Sequence, residues 1–184
     1  MACSAQHGIN KHGTGAVTLD RARRYAEKIL AELAPYCERA EIAGSIRRER
    51  PAPNDIDLVV LPSPGHAPAI RRRCLRSCPD VRQDGECQLL FVLDGGVQID
   101  LWFASAREPD LFQPNPCTFG TRLLLRTGSA AFNAWFAVEA QRRGFHWNPY
   151  HGLYAHGRPI MAESEAELFS AIGLPYIPPR DRER

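Results

Sequence analysis

The chain has 184 residues, 44% of them apolar, and a formal net charge of +2. That is enough for one ordinary globular domain or two small ones, and bulk charge announces neither a nucleic acid nor a membrane surface. No run of about eighteen apolar residues exists and the N-terminal stretch lacks the apolar core of a signal peptide, which argues for a soluble intracellular protein, cytoplasmic or nucleoid-associated.

Residues 1–17 are rich in Gly, His and small polar types, carry no periodic signal and read as a loose leader. Thr18 is placed to cap a helix running to about Ala34, because Leu19, Ala22, Ala26, Ile29, Leu30 and Leu33 recur at steps of three and four; Pro35 stops it. Arg21, Arg24 and Lys28 fall on another face, as a solvated surface or a DNA contact. Of the 23 basic residues only Lys11 and Lys28 are lysine. Arginine suits bidentate phosphate contact, although a biased genome would leave the same trace.

Glu38 to Ala43 reads as a short strand feeding a Gly44-Ser45 turn, whose N–H groups and hydroxyl can face an anion while Arg47 and Arg48 add charge. Asp55 and Asp57 then head a strand continued by the apolar run Leu58 to Leu61, and a strand's period of two puts both carboxylates on one face. Carboxylates that close repel each other unless a cation lies between them, and hard oxygen ligands select Mg²⁺ or Mn²⁺. An Asp-x-Asp pair alone is common at strand ends. Phosphate on one side and metal on the other is the layout of phosphoryl transfer.

Pro62 to Gly65 breaks the strand, and Ala67 to Cys78 reads as an arginine-rich helix. Cys87 to Leu93 and Val97 to Phe103 are β-rich runs separated by Asp94-Gly95-Gly96, a hairpin signal. The second run holds Asp100, a charge in an apolar strand that needs a partner. The six cysteines form no paired C-x₂-C elements, so structural zinc is not expected and reduced thiols are the default; a Cys78–Cys87 bridge is the minority option. Prolines cluster over 105–117, where a domain boundary is placed. Beyond it, Phe119 to Arg126 and Ala130 to Arg143 read as helices split by Thr127-Gly128-Ser129, and Glu163 to Ile172 as a last amphipathic helix.

Gly44-Ser45, followed ten residues later by Asp-x-Asp and an apolar strand, resembles the nucleotidyltransferase superfamily. Gly-Ser-x-Arg-Arg with Asn-Asp-Ile-Asp is most similar to the family X DNA polymerases within it. Thr127-Gly128-Ser129 before Phe132-Asn133, the stretch Gly144 to Tyr150, and Tyr176-Ile177-Pro178-Pro179-Arg180 extend that resemblance from about residue 19 to the end. It implies an α+β fold: a polymerase beta-like nucleotidyltransferase palm with a mixed β-sheet and helices over 1–108, and a small C-terminal α/β domain over 109–184 that closes on nucleotide and template. The lyase and fingers segments of larger members find no room in the first 18 residues, so the expected form is similar to the reduced viral polymerase X.

The resemblance further implies a minimal DNA-directed DNA polymerase that adds dNTPs to a primer 3′-hydroxyl, in short-gap repair. Its partners would be a primer-template or gapped duplex and dNTP, with no membrane and a monomeric state. Asp55, Asp57 and Asp100 would be catalytic and hold two Mg²⁺ ions, with Mn²⁺ able to substitute. Gly44, Ser45, Arg48 and Asn54 would line the triphosphate; Leu125, Thr127, Gly128 and Ser129 the sugar; and Asn133 the base. Many relatives have Tyr-Phe where this chain has Leu125-Arg126, which puts discrimination against a 2′-hydroxyl in doubt and leaves Arg126 to reach phosphate or a base, or to sit exposed at a helix end. The rival readings are a small-substrate or template-independent nucleotidyltransferase and, outside enzymes, a DNA-end-binding module.

Overall fold

The computed structural model describes residues 18–76, 80–93, 96–105, 117–148 and 150–183. The expected loose leader, the Asp94-Gly95 part of the hairpin, Cys78 of the expected bridge and the boundary between 108 and 109 lie outside the described residues.

Helix α1 (Leu19–Leu33) forms where the apolar spacing predicts it, and buries Ala22, Ala26 and Leu33. Thr18 is its N-cap, but the helix start is held by Ala22 N–H on the Thr18 carbonyl, and the threonine side chain makes no capping bond. A 3₁₀ turn at Ala34–Tyr36, with Pro35 at its start, leads into β1 (Cys37–Ile42). The Gly44-Ser45 turn is a single helical turn, α2 (Gly44–Arg47). It is followed by β2 (Asp55–Pro62), α3 (Ala67–Arg76), β3 (Asp80–Asp84), β4 (Gln88–Val92) and β5 (Gln98–Phe103).

The five strands make one mixed sheet in the order β1-β2-β5-β4-β3, with β2 and β5 parallel and the other pairs antiparallel. Alternation assigns the two faces. Ile56, Leu58 and Val60 of β2 and Ile99, Leu101 and Phe103 of β5 pack with α1 and α3 into the larger core. Their neighbours face the other way, where Val59, Leu61 and Ala104 meet Phe119 and Leu123. Asp55, Asp57 and Asp100 belong by the same alternation to this second face, at the end of the strands where the apolar side chains stop.

That face is covered by α4 (Phe119–Thr127). The helix is buried nearly all round because Phe119 and Leu123 pack on the sheet while Leu124 enters a separate core with α5 (Ala130–Arg142) and α6 (Glu165–Ala171). Phe136 anchors that core edge-on to Trp147 and Phe169, at ring centroids of 5.0 and 5.4 Å. Truncating such a residue to alanine costs about 3–5 kcal/mol. Arg39 of β1 ties the sheet to the C-terminal segments, lying 4.0 Å over the Phe119 ring and donating to the Glu163 carbonyl at 2.7 Å.

Two sets of strands have no counterpart in the sequence reading. β3 is exposed along its whole length and is charged at both ends, so it has no inward set of apolar residues to announce it. β6 (His146–Asn148), β7 (Gly152–Ala155) and β8 (Arg158–Pro159) form a three-stranded sheet of pieces too short to establish a period. No helix among the described residues is long and apolar enough to cross a membrane.

Candidate active site

The parallel register of β2 and β5 sets Asp57 directly opposite Asp100, with Asp55 one pleat away opposite Gln98. Burial raises the Asp57 pKa well above the usual carboxylate value, and the charges of Asp55 and Asp100 raise it further. Asp55 is raised by burial and by Asp100, and Asp100 chiefly by burial. Three carboxyls that each resist ionisation share one end of a sheet, which is the chemistry of a donor set that wants a cation.

The Asp100 oxygens have side-chain partners from two strands: Gln88 Nε2 of β4 donates to one at 2.8 Å and Gln98 Nε2 of β5 to the other at 3.1 Å. Among the described residues no group of three or more His, Cys, Asp or Glu side chains is gathered as a ready metal cage. Two arginines oppose these carboxylates: Arg48 acts on Asp55 and Asp57, and Arg126 on Asp57 and Asp100. The Arg126 guanidinium carbon lies 3.2 Å from the Trp102 ring centroid. Burial, with help from neighbouring Arg122, pushes its pKa down to about 10, which still leaves it charged at neutral pH. Arg126 is therefore drawn inward beneath α4 and is not a solvent-exposed helix end.

Gly44 brings the Gly44-Ser45 turn against β2. Its φ is +59°, and a Cβ there would sit 2.0 Å from Asp57 Oδ2, so no other residue permits this approach. Ala43 N–H donates to the Asp57 carbonyl at 2.8 Å and locks the junction. Beside it the Ser45 hydroxyl is buried with no hydrogen-bond partner.

A solvent-open cleft of about 450 Å³ runs between α2 and the start of α5. Gly44, Ser45, Arg48, Asn54, Asp55, Asp57, Leu125, Gly128, Ser129 and Asn133 line it, so the structure brings together all the expected site residues except Asp100 and Thr127. Thr127 is buried, its hydroxyl accepting from Arg47 at 2.8 Å and its carbonyl from Arg48. Ser129 caps α5 by accepting from Phe132 N–H at 3.2 Å and donates to the Arg182 carbonyl at 2.9 Å. Asn133 donates to the Leu125 carbonyl at 2.9 Å, leaving its own side-chain oxygen without a partner.

Behind the cleft, Glu165 is buried between two arginines, bonded to Arg182 at 2.6 Å and to Arg47 at 2.7 Å. Arg182 is completely buried among Phe132, Phe169 and Tyr176. Glu183 follows it and pairs with Arg48 at 2.6 Å. The Arg47–Glu165 and Arg48–Glu183 pairs join segments more than a hundred residues apart and escape any local pattern.

Residues 122–183 match the family model described as DNA polymerase beta thumb. No curated protein sequence matches the chain. Among solved structures, the chain is similar to Leishmania infantum polymerase beta in a ternary P/T complex, with a TM-score of 0.71 and 16% identity over 92% of this chain and 77% of that one. It is equally similar to the same enzyme in a ternary gap complex, with a TM-score of 0.71 and 15% identity over 92% of this chain and 71% of that one. The α+β polymerase beta fold and the resemblance to family X expected from the Gly44-Ser45 and Asp55-x-Asp57 elements are both borne out.

Proposed function

We propose that this chain, which has the polymerase beta fold and matches the DNA polymerase beta thumb model over residues 122–183, is a minimal DNA-directed DNA polymerase. It adds a dNTP to a primer 3′-hydroxyl by two-metal phosphoryl transfer, in short gaps of duplex DNA. The observation that carries this reading is the Asp57–Asp100 register with Asp55 beside it, set against a cleft walled by Ser45 and Arg48.

The three carboxyls fit a pair of divalent cations, because burial and mutual repulsion leave them short of positive charge. Asp55 and Asp57 would hold both Mg²⁺ ions, or Mn²⁺ in their place, and Asp100 one of them. When bound, such a pair stabilises the attacking and leaving oxygens of an in-line displacement. The remaining work belongs to this chain's own groups. The unpartnered Ser45 hydroxyl and the Arg48 guanidinium offer donors to the β- and γ-phosphates, and Asn54 stands on the same wall. Leu125, Gly128 and Ser129 present a largely apolar wall to the sugar, and the free Asn133 oxygen can accept from a base edge. Thr127 acts one step back, fixing Arg47 and Arg48.

Residues 1–108 serve as the palm and 109–184 as the part that closes on nucleotide and template, in a monomer. The DNA in both Leishmania complexes supports a primer-template or gapped duplex as partner. The thiols of Cys37, Cys87 and Cys117 form no disulfide, which suits a reducing intracellular setting.

Primer extension on a one-nucleotide gapped duplex, with each dNTP and with or without Mg²⁺, tests the proposal. Templated, Mg²⁺-dependent extension that Asp100→Asn abolishes is the expected result. Untemplated transfer would favour a different nucleotidyltransferase. The bonds of Gln88 and Gln98 to Asp100 favour a second reading, a DNA-end-binding module; DNA binding without extension in either metal would establish it.

A further inference from the structure

We infer that Glu183 is an internal anion seated in the cleft, which an incoming nucleotide displaces, and that this makes binding depend on the number of phosphates the ligand carries. The inference rests on the cleft being the triphosphate site proposed above.

Glu183 lines the same cleft as Ser45, Arg48 and Arg50. Its carboxylate lies 2.6 Å from Arg48 Nε and 3.7 Å from Arg50 Nη1, so it takes up the cations that a phosphate would use. This is not a chance contact of a loose strand of chain. The residue before it is fully buried: Arg182 bonds Glu165 at 2.6 Å, donates from Nε to the Ile177 carbonyl at 2.9 Å and accepts at its own carbonyl from Ser129 at 2.9 Å. The backbone is therefore anchored one residue away, while the Glu183 side chain remains 36% exposed and free to swing out.

A second observation points to a missing occupant. The Ser45 hydroxyl, on the same wall, is buried and has no partner. Glu183 satisfies the arginine charge but leaves this donor unanswered, as expected of a stand-in smaller than the ligand. An ion pair this exposed is weak and easily exchanged. A triphosphate brings several charges and can reach Arg48, Arg50 and Ser45 together, so it displaces the carboxylate with a net gain. A monophosphate trades one anion for another and gains little.

The test is direct binding to the full chain, followed by calorimetry in Ca²⁺ so that no turnover intervenes. The ligands are dGTP, dGMP and inorganic triphosphate, offered to wild type, Glu183→Gln and Glu183→Asp, the last keeping the charge but falling short of Arg48. Both variants are expected to bind dGTP and inorganic triphosphate about two- to fivefold more tightly, the size of one exposed ion pair, and to lose part of the preference over dGMP. Wild-type affinity in both variants would overturn the inference while leaving the cleft a triphosphate site. Weaker binding would also overturn it, by showing that Glu183 holds Arg48 in place. If neither wild type nor variants bind inorganic triphosphate or dGTP, the triphosphate reading itself falls.

Discussion

The guanidinium of Arg126 lies over the Trp102 ring, its central carbon 3.2 Å from the centroid, on the face of the sheet that carries Asp57 and Asp100. A half-buried arginine in that position is a protein-supplied countercharge for carboxylates that otherwise repel each other. Arg126→Ala should destabilise the metal-free protein by about 2 kcal/mol, through the lost stacking and the unscreened acids. The same change should tighten Mg²⁺ binding, because protein cation and metal compete for one negative site. Thermal denaturation in EDTA and over a Mg²⁺ series checks both halves; a variant that lost stability without gaining metal affinity would make Arg126 a packing residue only.

Asp57 carries the opposite signature, a charge whose burial harms the fold. Its pKa is raised well above the usual value by burial and by Asp55 and Asp100. Asp57→Asn should therefore stabilise the metal-free protein, by about 1–2 kcal/mol. It should also remove the gain in melting temperature that Mg²⁺ confers on wild type, and lower extension far more than tenfold, a factor equal to about 1.4 kcal/mol of barrier. Equal melting temperatures for the two proteins in EDTA would show that the three carboxyls do not strain the fold.

The Asp55–Asp57 pair was legible in the sequence because a strand's period of two needs only neighbouring residues to be read. Asp100 was legible as a charge in an apolar strand, and Gln98 shares its face two residues earlier in β5, but its other partner, Gln88, depends on how β4 and β5 align, which no single strand reveals. The same limit hid Arg126, whose position at a helix end suits solvent until Trp102 is brought beneath it. Glu165 looked like an ordinary residue in the first turn of an amphipathic helix. Only the folded chain shows that it is buried between two arginines.

That triad makes a measurable prediction. Glu165 is 3% and Arg182 0% exposed at the side chain, so neither charge can turn to water if the other is lost. Glu165→Gln should cost about 3–5 kcal/mol in urea denaturation, the scale for a buried charge stripped of its partner. The double variant Glu165→Met, Arg182→Met should recover much of this, since it removes both fully buried charges together. Arg47 would then lose its inner partner, and because it stands next to Arg48 the double variant should fold yet bind dNTP more weakly than wild type. Full-strength dNTP binding would separate the triad from the phosphate wall.

If the cleft holds a nucleotide as proposed, sugar selectivity should turn on Leu125, which is half-buried and lines it beside Gly128 and Ser129. A 2′-hydroxyl is excluded only where backbone or a rigid side chain occupies its place, and leucine is smaller and more adaptable than an aromatic ring. Its backbone is not free to shift in compensation, because the Leu125 carbonyl accepts from Asn133. An apolar wall alone discriminates by about 1–3 kcal/mol, so insertion of dGTP over rGTP opposite cytosine should stay within roughly two hundredfold. Leu125→Tyr should raise that ratio about tenfold without changing dGTP insertion, because the ring would fill only the space a 2′-hydroxyl needs. A wild-type ratio far above that range, unmoved by Leu125→Tyr, would place the exclusion in the Gly128–Ser129 backbone and not in the side chain at 125.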